Sequence, residues 1–151
     1  MAKSIEKKRR SSHQTQWASQ FAVASELCKR GYEVALTMGN HPNADLMVYS
    51  PAGKAFVIDV KGLYKKNFWA VRKKLEKECL FYVLAFVPQD APNRYFILTQ
   101  AQINAGIDAE FVRAQTAARE KGKDSNWVEK FPGVAWSYAE QWENAWRSLP
   151  A

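Results

Sequence analysis

Residues 45–61 read Asp-Leu-Met-Val-Tyr-Ser-Pro-Ala-Gly-Lys-Ala-Phe-Val-Ile-Asp-Val-Lys, and this segment predicts a β-hairpin. Two runs of β-forming residues are separated by Pro-Ala-Gly, which is a turn signal. With a three-residue loop, Ser50 pairs with Lys54 across the turn. The residues on both faces of the two runs are mostly apolar, so we expect the strands to be buried on both sides.

The hairpin brings two acidic residues together. Counting outward from the turn, Asp45 lies opposite Asp59, and residues paired in this way have Cβ atoms about 4.5–5.5 Å apart. Side chains alternate between the faces of a strand, so Lys61 shares the face of Asp59 and Val60 points away. Two such carboxylates repel each other, and a hard cation such as Mg²⁺ between them would explain the arrangement. A lysine beside that metal suits hydrolysis of a phosphodiester.

An ordinary hairpin with charged residues near its open end would carry the same Asp-Val-Lys pattern. Aspartate and lysine are common at strand ends, so the pattern alone is a weak signal. Charges within strands that are buried on both sides need partners, however. The metal site is therefore the favoured interpretation.

Length and composition indicate one globular domain. The chain has 151 residues, of which 47% are hydrophobic and 25% are charged. No apolar run is as long as a membrane span, and the first residues do not resemble a signal peptide. We expect a flexible basic arm over residues 1–12, a single domain over residues 13–151, no membrane association and a cytoplasmic location.

The positive charge is clustered near the predicted site. The net charge is +7, with 22 lysines and arginines against 15 acidic residues. A basic cluster beside a metal site favours a polyanionic partner, with nucleic acid ahead of a membrane surface. A solvated basic face is the other interpretation. The candidate phosphate contacts are Lys65, Lys66, Arg72, Lys73 and Lys74.

The first predicted helix spans residues 13–30 and ends at Gly31. Its apolar residues recur at helical spacing and predict the face that packs on the core. They are Trp17, Phe21, Ala24 and Cys28, with Leu27 close by. At about 100° per residue, Gln20 lies at the edge of this face and Glu26 lies opposite to it.

The remaining pattern predicts an α/β fold in which helices pack against a mixed sheet. Strands are expected at residues 32–37, 80–87 and 95–99, and helices at residues 100–120 and 137–148. The last helix is rich in tryptophan, and its aromatic residues are expected to be packing residues. Residues 68–72 fit a strand or the start of a helix equally well.

Residues 20–62 resemble the PD-(D/E)xK nuclease superfamily, which includes restriction endonucleases and Holliday-junction resolvases. The pattern of its small resolvase-like members is matched by a set of residues in this stretch. They are Leu27, Gly31, Tyr32, Val34, Asn40, Asp45, Leu46, Asp59, Val60, Lys61 and Gly62. The resemblance implies a restriction-endonuclease-like sheet with an α-β-β-β-α-β core.

The resemblance also implies roles for the site residues. Asp45, Asp59 and the backbone carbonyl of Val60 would bind Mg²⁺, with Mn²⁺ as a substitute, and Lys61 would position the attacking water. Relatives often carry a glutamate on the first helix as an additional metal ligand, and Gln20 stands at that place here. A glutamine still forms a hydrogen bond to a metal-bound water, but it adds no negative charge.

Three functions follow as hypotheses. The first is a Mg²⁺-dependent DNA endonuclease, which would act as a homodimer if it cuts both strands. The second, suggested by Gln20, is a nucleic-acid-binding or assembly protein that keeps the fold without catalysis. The third is a protein-binding module whose basic residues are only solvated.

Overall fold

The structure, a computed structural model, describes residues 9–38, 44–123 and 131–151. Its elements in chain order are α1 (Ser12–Lys29), β1 (Glu33–Leu36), β2 (Leu46–Tyr49), β3 (Ala55–Leu63), β4 (Trp69–Ala70), β5 (Leu80–Phe86), β6 (Arg94–Thr99), α2 (Gln100–Glu120), β7 (Gly133–Val134) and α3 (Trp136–Ala139). Two 3-10 turns follow, over Glu140–Trp142 and Trp146–Ser148. Most of the predicted basic arm and the loop that contains Asn40 lie outside the described residues.

Five strands of the described chain form one sheet in the order β1-β2-β3-β5-β6. Strands β3 and β5 are parallel, and the other neighbouring pairs are antiparallel. Helix α1 packs on one face through Val23 and Leu27, and α2 packs on the other through Ile103 and Ile107. The predicted α/β class, with a mixed sheet flanked by helices, is confirmed.

The predicted hairpin turn is confirmed. The backbone N–H of Ser50 donates to the carbonyl of Lys54 at 2.9 Å, and the pairing continues outward to Leu46 opposite Ile58. The ladder stops there, one residue before Asp45. The backbone N–H of Asp45 donates to the carbonyl of Ile58 at 2.9 Å instead of continuing the ladder to Asp59.

In an α-β-β-β-α-β core, a helix connects the third strand to the fourth. The connection between β3 and β5 does not have this helix in the described residues. The described residues 71–79 form no helix, and the short β4 before them pairs with β7. In this segment six of the residues from Arg72 to Glu78 are charged, and Leu75 is 88% exposed. A helix here would have no apolar stripe to bury, and packing of such a stripe supplies most of the stability of a helix.

The predicted Trp-rich helix over residues 137–148 is wrong. Helix α3 has four residues and is followed by 3-10 turns. The chain leaves the helical path because Glu143 forms a β-bridge with Phe96, and the N–H of Asn144 donates to the carbonyl of Tyr95 at 2.8 Å. Asn144 adopts a positive φ of 55°, which also breaks a helix.

Helix α1 has the predicted length, but it buries a different face. Its buried residues are Thr15, Ser19, Val23 and Leu27, whereas Phe21 is 54% exposed and Cys28 is exposed. The cause lies on β3, where a Cβ added to Gly62 would collide with the side chain of Ser19. Because helix and strand approach so closely, only small side chains fit between them, and Phe21 is turned outward while Trp17 is half-buried.

Residues 9–12, assigned by the sequence to the arm, are in contact with the fold. The hydroxyl of Ser11 accepts the N–H of Gln14 at 3.1 Å and caps α1, which begins at Ser12. The guanidinium of Arg10 donates to the carbonyl of Val87 and lies 5.3 Å from the ring centre of Tyr64.

Candidate active site

The candidate site lies where β3 extends past the start of β2. Strand β2 pairs with residues 55–58 of β3, whereas β5 pairs with residues 57–63, so from Asp59 onward the edge of β3 that faces β2 has no strand partner among the described residues. Two glutamines of α1, Gln16 and Gln20, reach the edge that β2 leaves open. The local fold therefore gathers residues from the loop before β2, from β3 and from α1.

Both carboxylate oxygens of Asp45 are bonded within this site. Oδ1 accepts the side-chain amide of Gln20 at 3.1 Å, and Oδ2 accepts the backbone N–H of Val60 at 2.8 Å. Burial raises the pKa of Asp45 above its usual range; the N–H of Val60 opposes the rise, and the negative charge of Asp59 adds to it. The charge of Asp59 therefore acts on Asp45, although the strand ladder ends before the two residues pair.

Asp59 is buried, with 5% of its surface exposed. The ammonium of Lys61 lies 2.9 Å from Oδ1 and forms an ion pair with it. That oxygen accepts no hydrogen bond of good geometry, so the ion pair leaves part of its bonding capacity unused. Lys61 itself is 35% exposed, so its side chain connects the buried carboxylate with the surface.

The donors fit a hard divalent cation. Carboxylates and the carbonyl of Val60 are the oxygen ligands that Mg²⁺ prefers, and Oδ1 of Asp59 has bonding capacity beyond its ion pair with Lys61. The carbonyl of Val60 also accepts the side-chain amide of Gln16 at 2.9 Å, which leaves one lone pair. Among the described residues, no group of three or more His, Cys, Asp or Glu could hold a metal, so such a site would have only two acidic ligands.

A cavity of about 360 Å³ opens beside the site, and its lining includes Asp59, Lys61, Arg72 and Lys74. Two of the predicted phosphate contacts therefore lie with the catalytic candidates. Neither Asp45 nor the helix α1 contributes to this lining. The cavity thus exposes one carboxylate and the lysine to a surface that carries two further cations.

The other predicted phosphate contacts lie elsewhere. Lys65 lines a separate cavity of about 880 Å³ with Arg9 and His13. The ammonium of Lys66 lies 4.6 Å from the ring centre of Trp136, and Lys73 is paired with Asp108. The five basic residues are thus divided among separate surfaces.

Sequence reasoning missed a buried polar chain that supports the site. The hydroxyl of Tyr82, paired with Asp59 in the sheet, donates to Gln100 at 2.7 Å, and the amide of Gln100 donates to Asn104 at 2.9 Å. Burial raises the pKa of Tyr82 to about 12, and the negative charge of Asp59 contributes to this rise. No local signal reveals this chain, because it depends on the register between β3 and β5.

Gln16 was also missed, although a signal existed. It precedes Gln20 by four residues, and side chains at that spacing lie on the same face of a helix. Because Gln20 faces the site, this spacing predicts that Gln16 faces the site as well.

Among the described residues, no helix has the length and apolar character needed to cross a membrane. Comparisons of the chain with protein-family models, curated proteins and solved structures give no match.

Proposed function

We propose that this protein is a Mg²⁺-dependent DNA endonuclease of the PD-(D/E)xK type, with a restriction-endonuclease-like fold. The observation that carries the proposal is the arrangement at the open edge of β3, where Asp45 accepts the N–H of Val60 and the adjacent Asp59 pairs with Lys61. Acidic groups withdrawn from water are expensive to keep for stability alone, and a carboxyl whose pKa is raised by burial, as that of Asp45 is, is typical of functional sites.

Each residue of the site has a distinct role in this proposal. Asp45, Asp59 and the carbonyl of Val60 would hold Mg²⁺, which supplies Lewis-acid chemistry to the phosphodiester when bound. Gln20 and the N–H of Val60 fix the orientation of the Asp45 carboxylate. The ammonium of Lys61 orients the attacking water and offsets negative charge that develops on the phosphate.

The cavity beside Asp59 would admit the DNA backbone. Arg72 and Lys74 supply cations in its lining, and contacts of this kind position the duplex without reading its sequence. One such site cuts one strand, so cleavage of both strands by this protein would require a homodimer.

A second function, a catalytically inactive DNA-binding or assembly protein, is favoured by the hydrogen bonds of the site. The oxygens of Asp45 are bonded to Gln20 and Val60, and Gln16 bonds to the Val60 carbonyl. These amide contacts stabilise the site without a cation, as expected for a protein that keeps the nuclease fold but no longer binds a metal.

Cleavage assays separate the two functions. Supercoiled plasmid and branched DNA are incubated with Mg²⁺, with Mn²⁺ and with EDTA. The endonuclease proposal expects metal-dependent nicking that Asp59→Ala abolishes, while Glu120→Gln, an exposed acidic residue at the end of α2, cuts like the parent. Salt-dependent binding without cleavage under either metal would support the inactive protein.

A further inference from the structure

Three ring-bearing side chains form a continuous strip on the outer side of α1, which we call the α1 aromatic strip: His13, Trp17 and Phe21. The rings of Trp17 and Phe21 are stacked, with centres 5.3 Å apart and an interplanar angle of 20°. The indole N–H of Trp17 donates to Nε2 of His13 at 3.0 Å, which fixes the orientation of the indole. Phe21 leaves 54% of its surface exposed, so the strip ends in an open aromatic face.

The strip adjoins the glutamines that contact the candidate site. Trp17 lies three residues before Gln20, and side chains at this spacing are neighbours on a helix surface. Gln20 in turn bonds to Asp45. A molecule that contacts Asp45 from the side of α1 would therefore also contact the strip.

The end of the strip at His13 lies among positively charged residues. His13 lines the cavity of about 880 Å³ together with Arg9 and Lys65. Glu26 is the one acidic residue of α1, and it is paired with Lys29 and Arg30 near the far end of the helix. Flat aromatic surfaces next to cations suit a ligand that combines flat rings with negative charge, as an unpaired stretch of nucleic acid does.

We propose that the α1 aromatic strip stacks an unpaired base next to the sheet edge where Gln20 contacts Asp45, so that the substrate is DNA in which a single-stranded segment adjoins a duplex. Bases within an intact duplex stack on one another, and their faces are closed to protein side chains. This inference rests on the proposed function for its placement of DNA, but the stacking itself is tested by binding without metal.

The test compares two DNA molecules of equal length in EDTA, so that no cleavage occurs. One is fully paired, and the other is a fork with 2-aminopurine in its unpaired segment. The parent is expected to prefer the fork and to change the 2-aminopurine fluorescence on binding. Phe21→Ala is expected to weaken fork binding roughly tenfold, to lower the ratio of fork to duplex affinity and to remove most of the fluorescence change.

Val112→Ala is the matched control, because Val112 is a 60% exposed apolar residue on α2 and its removal should change neither affinity. The inference is overturned if Phe21→Ala weakens both DNA molecules equally, or if the parent binds neither. It is also overturned if sedimentation shows that Phe21→Ala turns a dimer into a monomer, because the strip would then be a subunit interface. If Phe21→Ala loses the preference for the fork and neither the parent nor the variant cleaves DNA with metal present, the nuclease proposal is rejected and the stacking surface is retained.

Discussion

Asn104 holds the backbone of Lys74 through two hydrogen bonds. Its side-chain amide donates to the carbonyl of Lys74 at 2.8 Å, and its Oδ1 accepts the N–H of Lys74 at 3.3 Å. Lys74 and Arg72 belong to a segment without helix or strand, and both line the cavity that contains Asp59. Helix α2 thus holds the main chain at Lys74. This contact positions the side chains of Lys74 and of the nearby Arg72 beside the candidate site.

Replacement of Asn104 by alanine is expected to weaken DNA binding about threefold to tenfold, because two hydrogen bonds that hold the cationic segment are lost. The measurement is affinity for a duplex at fixed salt. Gln100→Ala is the matched control, since it breaks the bonds to Tyr82 and Asn104 but leaves those between Asn104 and Lys74. If the two variants lose equal affinity, the effect is one of general stability and not of the clamp.

The ion pair between Arg94 and Glu143 predicts a loss of stability in acid. Two hydrogen bonds of 2.7 Å from the guanidinium hold the pKa of Glu143 below 4.5, its ordinary value. A lowered pKa adds stability above the unfolded value, and this contribution disappears as the pH falls through the folded value. Both side chains are about one third exposed, so we expect at most about 1 kcal/mol at neutral pH.

The check is urea unfolding of the parent and of Glu143→Gln from pH 7 to pH 3. The parent should be the more stable protein at pH 7, and the difference should shrink below about pH 4.5. Glu120→Gln should show no such pH-dependent difference. An equal difference at all pH values would mean that packing of Glu143, and not its charge, stabilises the link to β6.

The close contact between α1 and β3 predicts that Gly62→Ala is destabilising. The new Cβ would collide with the side chain of Ser19 and lie 3.1 Å from the carbonyl of Thr15. Overpacking of this kind costs about 1–3 kcal/mol, measured by urea unfolding. Ser19→Ala in the same chain should recover only part of the loss, because the Cβ of residue 19 would remain 2.9 Å away. If Gly62→Ala has the same free energy of unfolding as the parent, α1 moves away from β3 at no measurable cost and the prediction is wrong.

The parts of the fold that could be predicted from sequence depend on local signals. The turn at residues 51–53 and the helix over Gln100–Glu120 are examples, because a turn tripeptide and an alanine-rich composition act on their immediate neighbours. The buried face of α1 could not be predicted in the same way. Trp17 and Phe21 resemble a core stripe, but α1 packs closely on Gly62, 43 residues after Ser19, and this leaves Phe21 exposed and Trp17 half-buried.

In the candidate site too, local patterns predict some contacts, whereas others depend on residues that are distant in the sequence. Asp59 and Lys61 share a face because side chains alternate along β3, which is a local rule, and the hairpin brings Asp45 to the same part of the strand. Gln20 contacts Asp45 although the apolar face predicted for α1 is wrong, so the apolar pattern of the helix does not account for this contact. The division of the basic residues could not be inferred, because Lys66 and Lys73 are engaged by Trp136 and Asp108 from distant parts of the chain. Charge clustering in a sequence therefore does not define a common surface.

Gln20→Glu tests the metal site directly. The change would place a third carboxylate where the Gln20 amide now donates to Asp45 at 3.1 Å, so a hydrogen bond is replaced by repulsion between like charges. In EDTA we expect the melting temperature to fall by several degrees, which corresponds to a loss of about 1–2 kcal/mol. Mn²⁺ should raise the melting temperature of this variant more than that of the parent, because a third acidic ligand strengthens binding of a hard cation.

Gln141→Glu adds the same charge at an exposed position and should show neither effect. Equal responses of parent and Gln20→Glu to Mn²⁺ would show that no cation binds between α1 and β3, and the site would then be a hydrogen-bonded structural feature.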